Sequence, residues 1–347
     1  MNISKKNKKI KFLFIRLSSI GDIILTTPLL QAVRTRYPEA KIDFVVAKQF
    51  RDAIAGNPNI DSVIPYDKKA TRRQIQELKA KIIAENGEYD YVIDLQNNLR
   101  SRIFRKKLAP NINAIHKHHL KKILLVHCKY SVGKPLHTVD NYFSTLREFE
   151  IFPNDETTSI ACDAEFSLSQ YVQTTTHFDK IIAIAPGAAH FTKQLPVEKF
   201  VQTMELLQNR CKILFLLLGG KSDIPVCEKI AGQFPSNAIS LAGKLKLQES
   251  AKAISLVDLI ITNDTGLMHI ASAVKVPIVA IFGSTTPELG FTPYNCVYRI
   301  IEKQLPCRPC THIGRANCPK KHFACMQSID PKDIFAAASD LLNHAHK

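Results

Sequence analysis

The chain lacks the marks of several common protein classes, and each absence narrows the field. No apolar run approaches the roughly 18 residues that a membrane crossing needs. The lysine-rich start leads into Ile10 to Leu17 with Arg16 inside it and no small-residue cleavage site, which is not a signal peptide and points to a cytoplasmic protein. Nine cysteines, an odd number in 347 residues, do not form the paired framework of a secreted scaffold, so most are expected to be thiols. There is no G-x-G-x-x-G fingerprint and no Walker A loop, which counts against a nicotinamide enzyme and a P-loop NTPase. A recognisable nucleic-acid module is missing, as is any platform of aromatics interleaved with basic residues. Paired carboxylates that would hold a metal against a diphosphate are absent too.

What remains is the composition of an ordinary globular protein, 45% hydrophobic and 22% charged. At about 150 residues per domain the length suggests two domains, expected over 1–165 and 176–347. The net charge of +16 is unevenly placed. Residues 1–150 hold 28 Lys and Arg against 14 Asp and Glu, and the remainder 19 against 17. The densest stretch includes Arg100, Arg102, Arg105, Lys106, Lys107, Lys117, Lys121, Lys122, Lys129 and Lys134, with no acid between Asp94 and Asp140. Such a field favours a polyanion or an anionic membrane surface as partner, the alternative being a solvated basic face without a ligand.

Hydrophobic patterning reads as β-α-β repeated twice over. Strands are expected at Lys11 to Arg16, Ile42 to Val46, Ser62 to Pro65 and Tyr89 to Leu95, with helices at Ile20 to Arg36, Thr71 to Ala84 and Thr138 to Phe149. Residues 151–178 break the pattern as a linker region. Strands resume at Lys180 to Ala185, Lys212 to Leu218, Ala238 to Leu241, Leu259 to Thr262 and Ile278 to Phe282, separated by helices and followed by a last helix at Asp330 to Asn343. The fold class is therefore α/β, with two Rossmann-like parallel-sheet domains facing across a cleft. In such sheets ligands bind beyond the carboxyl ends of the strands.

Four loops with that placement carry chemistry. Asp264-Thr265-Gly266 joins a buried strand to a helix, whose unpaired first-turn amides and dipole favour a phosphate, and the same turn carries Leu267 and His269. Ordinary capping of a core helix is the competing account. Arg16-Leu-Ser-Ser-Ile-Gly-Asp22 places a carboxylate at a helix start, where Asp22 could accept a proton from a substrate hydroxyl or merely stabilise the first turn. Pro186-Gly187-Ala188 leads to Lys193, a point charge suited to a diphosphate. Gly219-Gly220-Lys221-Ser222-Asp223 allows close backbone approach, with Asp223 placed for ribose hydroxyls.

Ser18-Ser19-Ile20-Gly21-Asp22, Pro186-Gly187-Ala188 with Lys193, and Asp264 to His269 together resemble the signatures of glycosyltransferase family 9, the lipopolysaccharide heptosyltransferases, over nearly the whole chain. The resemblance implies the GT-B fold, with an acceptor domain first and a nucleotide-sugar domain second. It implies inverting transfer of heptose from ADP-heptose, with no cofactor or metal required. It makes Asp22 the general base, puts Lys193 at the donor diphosphate, and places Asp264, Thr265, Gly266, Leu267 and His269 around the phosphates. Arg16 lies near the donor sugar with Ser18, Ser19 and Gly21, and Leu245 near the adenine. Where relatives often carry Arg-Trp after the lysine this chain has Gln194-Leu195, and hydroxyl residues of some members are here Ala188 and Ala189.

The basic first half then has an expected partner in the phosphorylated, acidic-sugar core of a lipid A precursor, met at the cytoplasmic face of the inner membrane. Arg100, Arg102 and Arg105 are candidate acceptor contacts, and nucleic acid is not expected. Alternatives are a related transferase using another nucleotide sugar or a protein acceptor, and a non-catalytic nucleotide-binding relative. Outside this scheme lie Cys307-x2-Cys310, Cys318, His322 and Cys325. Their spacing makes the four cysteines candidate structural zinc ligands, the other accounts being redox-active thiols or a reduced, packed loop.

Overall fold

A computed structural model describes residues 9–130, 133, 136–171 and 177–344. The first eight lysine-rich positions, Lys134, the expected domain edge at 176 and residues 345–347 lie outside the described residues. The strands are β1 (Lys11–Ile15), β2 (Lys41–Ala47), β3 (Ser62–Tyr66), β4 (Tyr91–Asp94), β5 (Asn111–Ala114), β6 (Lys180–Ala185), β7 (Ile213–Leu217), β8 (Ala238–Ser240), β9 (Leu259–Asn263), β10 (Ile278–Phe282) and β11 (Tyr298–Glu302). The helices are α1 (Ile20–Ile24), α2 (Thr27–Arg36), α3 (Arg72–Asn86), α4 (Leu99–Arg105), α5 (His119–Ile123), α6 (Thr138–Phe143), α7 (Val197–Gln208), α8 (Ile224–Ala231), α9 (Leu247–Ser255), α10 (Gly266–Ala273), α11 (Ala324–Gln327) and α12 (Pro331–His344). They fall into two compact units, residues 1–117 with 138–161, and residues 118–137 with 162–347. The sequence suggests a single break between 165 and 176, whereas the segment 118–137 groups with the second unit.

The first unit holds one sheet in the order β3-β2-β1-β4-β5, parallel at every pairing. Phe12, Phe14, Phe44, Val45, Val92 and Ile93 are fully buried, as expected where helices cover both faces of a parallel sheet. Pro65 is tolerated because β3 is an edge strand, where a missing N–H breaks no ladder. The expected helix from Ile20 to Arg36 is instead two. The Thr26 and Thr27 hydroxyls donate back to the Ile23 and Ile24 carbonyls, and Pro28, which has no N–H, sits in the first turn of α2. Likewise Thr138 to Phe149 divides into α6 and a 3₁₀ turn, Ser144–Phe149. Residues 157 and 159 of the expected linker bond back to Gln31 and Thr27 and belong to this unit.

The second unit holds the order β11-β10-β9-β6-β7-β8, also parallel throughout. Read from β8 inward this is the dinucleotide-fold order, and its core gathers Ile182, Ile184, Phe200, Phe215, Ile261 and Ile281. Both sheets reverse direction beside their first strand, between β1 and β4 and between β6 and β9. Those two crevices are where parallel sheets bind ligands.

Candidate active site

At the first crevice the chain leaves β1 through Arg16 and turns into α1 at Ser19. Arg16 Nη2 meets Asp22 Oδ1 at 2.7 Å, with the two side chains 13% and 18% exposed. The other oxygen, Asp22 Oδ2, accepts the Ser19 N–H at 3.0 Å and the Ser19 hydroxyl at 2.6 Å. Arg16 also donates to the Ser18 and Leu95 carbonyls and lies 5.5 Å from the centre of the Tyr142 ring. Burial by itself would lower the Arg16 pKa, but Asp22, Tyr142 and Asp94 outweigh it and hold the guanidinium above its ordinary value. The Tyr142 hydroxyl is pushed well up, first by burial and further by Asp22. Gly21 is buried within α1, and Ser18 and Ser19 line the turn.

The strand across the crevice secures this loop. Gln96, just past β4, accepts the Leu17 and Ser18 N–H groups at 3.0 and 3.2 Å. Asp94 is fully buried; its Oδ1 accepts the Gln96 and Asn97 amides, and its Oδ2 meets Arg105 Nη1 at 2.9 Å. Arg105 is therefore the counter-ion of a buried carboxylate. Arg100 and Arg102 are exposed on α4, Arg102 donating to Asn97 at 2.8 Å.

At the second crevice Lys193 Nζ meets Asp264 Oδ2 at 2.7 Å, and the Thr285 hydroxyl donates to the same oxygen at 2.7 Å. Asn263, the last residue of β9, donates to the Pro186 carbonyl at 2.7 Å and accepts the Leu195 N–H at 3.2 Å, binding the lysine loop to the strand end. Gln194 donates to the Ala188 carbonyl at 2.7 Å, so the departure from the family pattern is absorbed into the loop. Thr265 precedes α10 with extended backbone, and Gly266 and Leu267 form its first turn; His269 is buried on the same helix. Asp223 accepts the Gly220 N–H at 2.8 Å. A Cβ on Gly187 would lie 2.3 Å from that carboxylate, so the loops after β6 and β7 touch only because Gly187 has no side chain. Leu245 is half-buried in the connection from β8 to α9.

The cysteine-rich segment lies directly against this site. Arg315 and Thr192 exchange main-chain and hydroxyl bonds at 2.8 to 3.1 Å, the Ser284 hydroxyl donates to Thr192 at 2.9 Å, and the Cys310 N–H donates to the Ser284 carbonyl at 3.1 Å. Arg308, nearly buried, donates to the carbonyls of Phe282, Gly283, Thr285 and Lys303 and to Glu302. Cys307, Cys310, Cys318 and Cys325 are free thiols, and among the described residues no three His, Cys, Asp or Glu side chains group as a metal site. Cys325 is part of the apolar core, and burial pushes its thiol up to about 11.

Sequence patterns locate the Asp22, Lys193 and Asp264 loops but miss Tyr142, Gln96, Asn263, Thr285 and Arg308. A buried amide directly before Asp264 is the one of these that a strand-end argument could have flagged.

Two parallel sheets with polar loops at both switch points make a two-domain Rossmann-like architecture, and known proteins share it. A family 9 glycosyltransferase from Veillonella parvula superposes with a TM-score of 0.78 at 24% identity, over 96% of this chain and 97% of that one. The Escherichia coli heptosyltransferase WaaC solved with ADP-2-deoxy-2-fluoro heptose gives 0.65 at 18% identity, over 88% and 96%. The fold is GT-B. Lipooligosaccharide heptosyltransferase 2 of Haemophilus influenzae is 27% identical over 311 residues, which are 83% of this chain and 88% of that protein. The family model of glycosyltransferase family 9 (heptosyltransferase) matches residues 75–321, and the chain belongs to that family. It is a glycosyltransferase enzyme.

Proposed function

We propose that the protein transfers heptose from ADP-heptose, with inversion, to a sugar hydroxyl of the lipopolysaccharide inner core, Asp22 acting as general base. The observation that carries this reading is the partly buried Arg16–Asp22 pair at the first switch point. An ion pair favours the charged form of both partners, and an oriented carboxylate is what deprotonation of an acceptor hydroxyl needs. The donor assignment draws on the ADP-heptose analogue bound by the related fold, and the acceptor on the lipooligosaccharide named for the relative.

The division of labour follows from the chemistry. As the bond from the anomeric carbon to the diphosphate breaks, negative charge grows on the leaving ADP. Lys193 and the amides at the start of α10 stabilise that charge more in the transition state than in the ground state. Asp264 holds Lys193 in place, Asp223 takes the ribose hydroxyls, and Leu245 lies along the adenine. Asp22, on the acceptor side, removes the hydroxyl proton as oxygen attacks from the face opposite the leaving group. No cofactor is assigned.

The acceptor is anionic, and Arg100 and Arg102 are its contacts on α4. Among the described residues no helix is long and apolar enough to cross a membrane. Peripheral contact with an anionic cytoplasmic membrane face instead suits Leu99 and Ile103, exposed beside those arginines, and Leu120 and Ile123, exposed beside Lys121 and Lys122.

The test is incubation of the full chain with ADP-heptose and heptose-free core acceptor, following ADP and the elongated acceptor by mass spectrometry. The expected result is stoichiometric ADP and product, abolished in Asp22→Asn while ADP-heptose binding persists. Turnover of that variant at the wild-type rate would remove Asp22 from the mechanism.

A further inference from the structure

The second unit contains a cavity of about 600 Å³ between the segment following α5 and the cysteine-rich loop. Its wall carries Lys129, Arg315 and Lys320 with His127 and His322, and no aspartate or glutamate lines it. Val126, Leu305 and Pro319 supply an apolar part of the wall. Neither Lys193 nor Asp264 is part of it, so the cavity is separate from the donor loops.

Two of its cations are held in place. Lys129 Nζ donates to the Val126 and Pro309 carbonyls, both at 2.6 Å, which fixes the ammonium between the two segments and leaves a third N–H for a ligand. Arg315 is anchored through its main chain to Thr192, and its Nε donates to the Cys310 carbonyl at 3.2 Å, leaving the terminal amino groups of the fork. The His322 ring is set by the Ala324 N–H, which donates to Nδ1 at 3.0 Å.

We propose that this cavity binds the phosphate monoester of a sugar phosphate. Two anchored positive charges, Lys129 and Arg315, with Lys320 at the same wall and no counter-carboxylate, raise the local anion concentration. An arginine fork beside lysine point charges is the usual protein set for a phosphate group. The volume falls within the roughly 300–1,000 Å³ of small-molecule sites, large enough for a sugar beside the phosphate. The phosphate is either one carried by the core acceptor, which rests on the function proposed above, or one on a free sugar phosphate.

The experiment is calorimetric titration of the full chain with mannose 6-phosphate in saturating ADP, which occupies the nucleotide loops, with mannose as the uncharged control. Saturable binding of the phosphate ester, none of mannose, and competition by inorganic phosphate are expected. Lys129→Gln and Lys320→Gln should each weaken binding about tenfold, a loss appropriate to one charged contact. Lys320 is exposed, so its substitution leaves packing intact. No saturable binding, no competition by phosphate, or affinity unchanged in both variants would overturn the proposal. A transfer assay separates the two sources: a KM raised by Lys320→Gln for phosphorylated but not phosphatase-treated acceptor assigns the acceptor phosphate. An unchanged KM with binding retained assigns a free sugar phosphate. Because the titration reads binding alone, it can fail while heptose transfer stands, and the reverse.

Discussion

Arg16 Nη2 and Asp22 Oδ1 lie 2.7 Å apart where the central strand of the first sheet ends, and the influence between them is mutual. Asp22 helps to raise the arginine pKa, so the arginine favours the charged carboxylate by the same interaction. Removing the guanidinium lets the carboxylate hold its proton more tightly, and the ionised base is then lost at a higher pH as pH falls. Arg16→Met is expected to move the acid limb of the kcat profile to higher pH and to lower kcat about tenfold, less than the roughly 100-fold or greater loss expected when a general base itself is removed. Arg16→Lys should restore little, because a single ammonium cannot also reach the Ser18 and Leu95 carbonyls. Rate profiles of the three proteins check this; an acid limb shared by all would separate Arg16 from the base.

Tyr142 comes from a later part of the chain yet stacks beside Arg16. Its hydroxyl is pushed well above the ordinary tyrosine value, so it stays protonated through any practical assay range. Tyr142→Phe keeps the ring face and should leave the alkaline limb unchanged. Tyr142→Leu removes the face and should lose about 0.5–2 kcal/mol of cation–π and packing support for Arg16. Comparing pH profiles and melting temperatures of the two variants decides whether the ring or the hydroxyl matters.

The alternation of strands and helices was legible because each element repeats its own hydrophobic period over several residues. The elements it missed are short or weakly patterned. Strand β5 reads Asn-Ile-Asn-Ala with no residue fully buried, β11 is a half-buried edge strand, and α4 is a brief helix inside a run of positive charge. The same run shows what composition cannot separate. Arg102 faces solvent, while Arg105, on the same helix, neutralises buried Asp94. At the sites, loops with local signatures were found and their supports were not. Gln96 holds Leu17 and Ser18 from 78 or 79 positions away, and Asn263 holds Pro186 from 77. Such partners are chosen by the topology of the sheet, which brings β4 beside β1 and β9 beside β6. No short-range pattern encodes them.

Asp264 receives both Lys193 and the Thr285 hydroxyl on one oxygen. Thr285→Val keeps the shape and removes the donor, leaving the carboxylate to pull harder on Lys193 and making the lysine less available to a diphosphate. Loss of a hydrogen bond to a charged, buried group corresponds to about 1.5–3 kcal/mol. ADP affinity by calorimetry should fall modestly in Thr285→Val and by about tenfold or more in Lys193→Gln. Equal ADP affinity in Lys193→Gln and wild type would take the lysine out of the donor site.

Arg308 is the buried cation on which the loop after β10 rests. Its guanidinium serves the Phe282, Gly283 and Thr285 carbonyls on one side and Lys303 and Glu302 on the other. A methionine, apolar and shorter, would leave those carbonyls without a donor and Glu302, 17% exposed, without its partner. Breaking a buried pair from one side costs about 3–5 kcal/mol. By contrast, Lys303→Met removes a half-exposed pair with Asp333 and should change stability by less than about 1 kcal/mol. Thermal melting of both variants, with and without ADP, measures the difference. Arg308→Met should melt well below Lys303→Met and gain less from ADP, because the Thr285 carbonyl that Arg308 holds belongs to the residue whose hydroxyl positions Asp264. Equal melting temperatures would show that the loop keeps its shape without the arginine.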